Sequence, residues 1–392
     1  MELNTLSILL LIISIAFLVF VIYLFIQLKL KKKDGRTLNQ QLQNLTDMIE
    51  DKKQRTELSE LGEFGLIDHL TKNIKIRNKS TIKGVGDDAA VINNKNQLTL
   101  VSNDLLLEGV HFDMVYTPMK HLGYKSAVVN FSDIVAMNGI PKQLIIGISI
   151  SNRFSVEALD EFYSGLLLAC EKYNVDLVGG DTTSSPSGLF ISITVIGEVD
   201  EKNVVYRNGA KPNDLLCVTG DLGAAYMGLL LLEREKEVFK SDPNVQPDFS
   251  GFDYVLGRQL KPEARTDIIE ILRKQHIKPT SMIDISDGLA SEIFHICKNS
   301  NTSCSVYEDK IPIDPITVDV AEDFKIDPTI AALSGGEDYE LLFTVSQNDF
   351  EKIKEIEGIS IIGHMTDSSE SKNLITRSGT QIPLKAQGWK AM

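Results

Sequence analysis

After Glu57 the chain repeats one pattern: an apolar run of strand length stops on an aspartate, with glycine often beside it. LTLVSND stops on Asp104, LVGGD on Asp181, IDISDG on Asp284 and Asp287, and GVGDD holds Asp87 and Asp88. Such runs read as buried strands, and segments of helical period stand between them. QLIIGISIS (143–151) and LFISITVIGEV (189–199) are further strands; 121–137 and 156–173 space their apolar residues as helices do. DLLCVTG (214–220) opens a second series. It runs through a helix at 222–235, PTSMIDISDG (279–288), a helix near 289–297 and YELLFTV (339–345). Gly209 and Pro212 mark a break, and 241–251 reads as a surface loop. The pattern predicts an α/β (α+β) class with two domains, 58–204 and 205–392. In such sheets ligands dock at strand ends, where these acids stand.

The formal net charge of −14 and a pI near 5.0 argue against non-specific binding to nucleic acid. An anionic ligand would need cations between itself and this protein. Cysteines 170, 217, 297 and 304 form no CxxC pair or zinc spacing, so they are expected to be buried, reduced thiols.

The front end is different. No charge occurs between Glu2 and Lys29, and the 21 residues from Leu6 to Ile26 are nearly all apolar, enough to span a bilayer as a helix. Lys29, Lys31, Lys32 and Lys33 follow, so the positive-inside rule puts the rest of the chain in the cytoplasm. Residues 1–33 thus read as a transmembrane anchor with a basic flank, and 34–57 as a polar linker. A chain begun at Met48 would keep the folded part and lose the anchor.

A single strand-end aspartate is ordinarily a helix cap or a turn former. Six such sites, with no Cys or His cluster, are a set of hard oxygen ligands suited to Mg²⁺ or Mn²⁺. Mg²⁺ in turn suits phosphate. There is no GxxxxGK[ST] loop, no GxGxxG in a βαβ context and no kinase HRD/DFG set. GGDTTSS and SGGED are glycine-rich turns whose backbone N–H groups can approach an anion.

Nine segments, in order, resemble the thiamine-monophosphate kinases, of the superfamily that includes aminoimidazole ribonucleotide synthetase and selenophosphate synthetase. They are ELGEFGLI (60–67), GVGDDAAV (84–91), SNDLLLEGVHF (102–112), NFSDIVAMNGIP (130–141), LVGGDTT (177–183), YRNGAKPNDLLCVTGDLG (206–223), IDISDGLA (283–290), LSGGEDYELLFT (333–344) and GW (388–389). The anchor lies outside the family pattern, and Asn103 stands where the family commonly has a hydroxyl residue.

The resemblance implies a two-domain synthetase-like fold whose N-terminal sheet forms a homodimer. It implies ATP, several Mg²⁺ ions and transfer of the γ-phosphoryl group to thiamine monophosphate in line, without a phosphoenzyme. Asp87, Ser102, Asn103, Asp104, Asp133, Asp181, Asp284 and Asp287 are then metal ligands. Gly180, Asp181, Arg207, Ser286 and Tyr163 would contact ATP, and His111, Glu337 and Trp389 the thiamine moiety. No acid–base residue is required, because the acceptor is an ionised phosphate oxygen. Read alone, His111 is a strand histidine before it is a ligand, Arg207 at the domain break is a phosphate clamp before it is a surface ion pair, and Trp389 is a core cap or a stacking surface; Asp338 and Glu340 read as structural. Two other functions remain: a different enzyme of the superfamily, or an inactive, membrane-tethered nucleotide-binding protein. Selenophosphate synthetase would want an early reactive Cys, and the hydrogenase-maturation relative a C-terminal one; this chain has neither.

Overall fold

Burial alternates strictly along an inner strand of the first sheet. In β6 (Leu189–Val199), Leu189, Ile191, Ile193 and Val195 point inward and are fully buried. It lies between β3 (Leu98–Leu107) and β4 (Ile140–Ile150), and β5 (Asp176–Ser184) completes the order β3-β6-β4-β5. This computed structural model describes residues 56, 60, 69–83, 91–92, 97–242 and 244–385. A short antiparallel pair, β1 (Thr81–Lys83) and β2 (Val91–Ile92), precedes the sheet.

Two helices cover its inner face: α1 (Met119–Ala136) and α2 (Val156–Tyr173). Both agree with the spans expected from periodicity, the second residue for residue. Ser155 caps α2 by accepting the Ala158 N–H, and Asn174 ends it at φ 55°. The helices pack backbone to backbone. A Cβ on Gly123 would lie 1.9 Å from the Phe162 carbonyl oxygen, and one on Gly165 would lie 1.8 Å from that of Lys120, so neither position admits a side chain.

The second sheet uses β7 (Leu215–Thr219), β8 (Ser281–Asp284), β9 (Thr302–Tyr307), β10 (Leu341–Val345), β11 (Ile359–Asp367), β12 (Asn373–Ile375) and β13 (Gln381–Pro383). Its order is β13-β12-β9-β11-β7-β10-β8, antiparallel except between β9 and β12. Around it pack α3 (Ala224–Ser241), α4 (Asp253–Leu260), α5 (Thr266–Lys274), α6 (Leu289–Ser300), α7 (Pro315–Asp323), α8 (Pro328–Ser334) and the single turn α9 (Phe350–Ile353).

α1 is buried on nearly every side because it stands between the two sheets. One aliphatic core runs from Ile191 of β6 past Phe131 of α1 to Ile268 of α5 and Phe343 of β10. Residues 57–392 accordingly form one compact unit. All four cysteines are buried and unpaired, as expected. Among the described residues no helix is long and apolar enough to cross a membrane; the apolar run 6–26 lies outside them.

Candidate active site

Three acids arrive from three elements. Strand alternation turns Ser102 and Asp104 of β3 toward α1, whose Asp133 accepts the Ser102 hydroxyl hydrogen bond. Asp284 ends β8 and accepts from Ser132 of α1 at 2.7 Å. Asn130 of the same helix takes the Asp104 backbone N–H at 3.0 Å. All three carboxylates are made harder to ionise. Burial, then repulsion from Asp133, pushes Asp104 up to about 6. Burial also raises Asp133, against the pull of the Ser102 hydrogen bond and the Arg207 charge. Burial and Asp133 raise Asp284, with the Ser132 hydrogen bond opposing. Carboxylates that repel one another in a desolvated cleft are well suited to gathering cations. Among the described residues, however, no three His, Cys, Asp or Glu side chains stand close enough to hold one ion between them.

These acids floor a cleft of about 740 Å³ between the two sheets. Ser286 and Asp287 line it from the turn after β8. That turn is shaped by Glu292 of α6, whose carboxylate accepts the Ser286 and Asp287 backbone N–H groups at 3.2 and 2.9 Å. The loop after α8 lies against it: the Glu337 and Tyr339 N–H groups donate to Ser286 and Ile285 at 2.7 and 2.9 Å. A Cβ on Gly336 would meet the Ser286 carbonyl oxygen at 2.6 Å. Glu337 itself is left-handed at φ 59°, a conformation that costs a non-glycine residue about 1 kcal/mol.

Behind this loop Asp338 and Glu340 are structural, as their sequence setting suggested. Glu340 pairs with Arg258 at 2.8 Å and Arg265 at 2.5 Å. Asp338 accepts the Gly223 N–H at 2.9 Å, and burial pushes its carboxyl up to about 7.

His111 reaches the cleft after β3. Its Nδ1 accepts the Leu107 N–H at 3.0 Å, which leaves the proton on Nε2 in the neutral ring. The outer end of the cleft is closed by a clasp between the loop after β3 and α3. Tyr116 donates to Glu233 at 2.7 Å, and Lys236 pairs with Asp113 at 2.8 Å. On the far side of Asp133 and Asp284 a second cavity, about 470 Å³, is lined by Ser102 and Arg207.

Four expected site residues stand elsewhere. Asn103 points to the opposite face from Asp104, and its Nδ2 donates to the Ile193 carbonyl and the Thr194 hydroxyl at 2.9 Å each. Strand alternation makes that unavoidable, so its side chain is no ligand in this cleft. Tyr163 is 6% exposed, packed edge-on against Phe162 inside α2, and lines neither cavity. Gly180 and Asp181 lie on β5, three strands and so about 14 Å from β3. Gly180 has a structural reason, since its Cβ would meet the Ile146 carbonyl oxygen at 2.1 Å. Asp87 and Trp389 lie outside the described residues.

The sequence reading overlooked Lys125, Asn130, Ser132, Gln259 and Glu292. The signal was there for three of them: polar residues at 125, 130 and 132 stand among the apolar ones in 122–132, a stretch of α1 that is buried throughout. A helix with no solvated face has no use for such residues unless they meet partners.

The family model "AIR synthase related protein, N-terminal domain" matches residues 86–199. The chain is similar to the thiamine-monophosphate kinase of Buchnera aphidicola subsp. Schizaphis graminum, 38% identical over 337 residues, 84% of this chain and 98% of that protein. It is similar to the thiamine-monophosphate kinase of Bacillus subtilis, 33% identical over 335 residues, 84% of this chain and 99% of that one. Among solved structures it is similar to "AaThiL complexed with AMPPCP and TMP", with a TM-score of 0.66 and 30% identity over 86% of this chain and 99% of the other.

Proposed function

Since the chain belongs to the thiamine-monophosphate kinase family, we propose that it transfers the γ-phosphoryl group of ATP to the phosphate of thiamine monophosphate, giving thiamine diphosphate and ADP. It is a phosphotransferase with a phosphate group as acceptor. The observation that carries the reading is the meeting of Asp104, Asp133 and Asp284, from three elements, on the floor of one cleft. A cleft so acidic repels two phosphate-bearing reactants unless cations come with them.

Mg²⁺ fits that donor set, which is all oxygen and raised in pKa by burial first, with repulsion from Asp133 adding to it at Asp104 and Asp284. Asp104, Asp133 and Asp284 would hold it, with Asp287 at the rim and Asp87 from beyond the described residues. Because no three acids among the described residues form one closed set, each ion would rely on phosphate oxygens and water for its remaining ligands, the usual habit of Mg²⁺. Bound there, Mg²⁺ would neutralise phosphate oxygens. The chain's own residues do the rest. Ser102 and Ser132 orient Asp133 and Asp284, Glu292 fixes the turn bearing Ser286 and Asp287, and Arg207 offers a guanidinium to ATP from the second cavity. His111 and Glu337, which line the cleft, would contact the thiamine moiety, with Trp389 as a further contact. Direct in-line transfer needs no general base.

A homodimer through the outer face of the first sheet is part of this proposal. Val101 is 67% and Leu105 47% exposed on that face, apolar surface that a second copy would cover. The place of Gly180 and Asp181 at the far edge fits a contribution to the site of a second copy. We also place the catalytic part in the cytoplasm, tethered to the membrane by residues 6–26. The test is product identity by mass: thiamine diphosphate and ADP in equal amounts support the reading, and ATP hydrolysis without thiamine diphosphate refutes it.

A further inference from the structure

We infer that Lys125 is a catalytic residue, the ammonium group that binds the acceptor phosphate. This rests on the proposed reaction and adds a subsite to it. Lys125 is 5% exposed, and a buried lysine needs partners. Its Nζ donates to the Gln259 carbonyl oxygen and to Glu337 Oε2, each at 2.8 Å. An ammonium group has three donors. The third finds no acceptor within hydrogen-bond range among the described residues, and the side chain lines the cleft. Anchoring Glu337 does not account for this lysine, because Gln259 Nε2 already donates to the same oxygen at 2.8 Å.

Position points the same way. Lys125, Val129 and Asp133 form an i, i+4, i+8 stripe of α1 facing the cleft, about 12 Å long. Asp133 marks the acidic end, where the triphosphate would lie, and Glu337 marks the ring end. A phosphate joined to the ring by two carbons falls between them, beside Lys125. The other lysine of the cleft, Lys236, is occupied by Asp113 and Glu233 at 2.8 and 3.0 Å. In the transfer, an acceptor phosphate oxygen forms a bond to Pγ while the bond from Pγ to the bridging oxygen breaks. The electron pair leaves on ADP, and no proton moves. Two anions must approach for this, and Lys125 offsets the charge of the one that attacks.

The test compares thiamine monophosphate with thiamine, which has the ring and no phosphate, as ligands of the full-length protein with Mg²⁺ and ATP. Loss of a charge-assisted hydrogen bond predicts that Lys125→Met lowers the preference for the phosphorylated ligand about 10- to 100-fold and leaves the KM for ATP unchanged. Lys125→Gln, which keeps a donor for Glu337, shows the same loss. Glu337→Gln weakens both ligands alike and keeps the preference. The inference is overturned if Lys125→Met weakens both ligands equally, as a mere anchor for Glu337 would. It is also overturned if the KM for ATP rises instead. Failure of the wild-type protein to phosphorylate thiamine monophosphate would sink the underlying reaction; an active wild type with unchanged preference in the variants sinks only the role of Lys125.

Discussion

Replacing Asp104 with asparagine tests the electrostatics of the cleft through stability rather than turnover. Asp104 titrates near 6 in the fold against 3.8 in the unfolded chain. At 1.36 kcal/mol per pH unit, ionising it in place costs at most about 3 kcal/mol. The side chain is only partly buried, and solvent screening brings the cost to about 1–2 kcal/mol. The sign follows from linkage. A carboxyl raised in the folded state favours folding fully below pH 4, and that contribution is lost as pH rises through 6. Asp104→Asn should therefore be more stable than wild type at pH 8 and equal to it near pH 4. For a unit of this size the gain is about 2–3 °C in Tm. Thermal unfolding of the full-length protein in EDTA at the two pH values measures it. Adding Mg²⁺ at pH 8 should raise the wild-type Tm and move the variant less. A variant less stable than wild type at pH 8, or equally stabilised at both pH values, refutes the reasoning.

Other outcomes follow from packing and pairing. Gly165→Ala places a methyl group 1.8 Å from the Lys120 carbonyl oxygen, so α1 and α2 must separate; a loss of about 3 kcal/mol is expected in denaturant unfolding, with lower kcat because α1 carries Lys125 and Asp133. Arg258→Met leaves Glu340 half-paired and Asp338 without its cation, which should cost about 3 kcal/mol or more by the same assay. Tyr163→Phe should keep the KM for ATP within about two-fold, since the ring is enclosed in α2 packing. Steady-state kinetics would check it.

Period and turn chemistry made much of the fold legible. Alternation in 189–199 and helical spacing in 156–173 gave those elements their ends because Ser155 and Asn174 cap what periodicity starts. The helices Pro315–Asp323 and Pro328–Ser334 went unread, although Asp314 and Asp327 each cap a helix that begins with proline, a readable signal. Sheet order was not legible. Nothing local tells β8 to pair with β10 rather than β7, and the largely antiparallel second sheet does not follow from strand–helix alternation. The site divided in the same way. Asp104, Asp133 and Asp284 stood out by their strand-end or motif setting. For Asn103, motif membership does not show that the two-residue period of the strand turns its side chain to the opposite face. Lys125 shows in the sequence only as a polar break in a buried helix, because its role depends on Gln259 and Glu337, 134 and 212 residues downstream.

The central claim is that these carboxylates convene to collect divalent cations for a reaction between two anions. Its most direct test is the rate of thiamine diphosphate formation as free Mg²⁺ is titrated back after exhaustive chelation, for wild type and Asp284→Asn. The account predicts no product without the cation, saturable recovery in wild type and at least a hundred-fold lower maximum in the variant. Full rate in the chelated enzyme, or an undiminished Asp284→Asn, would contradict it.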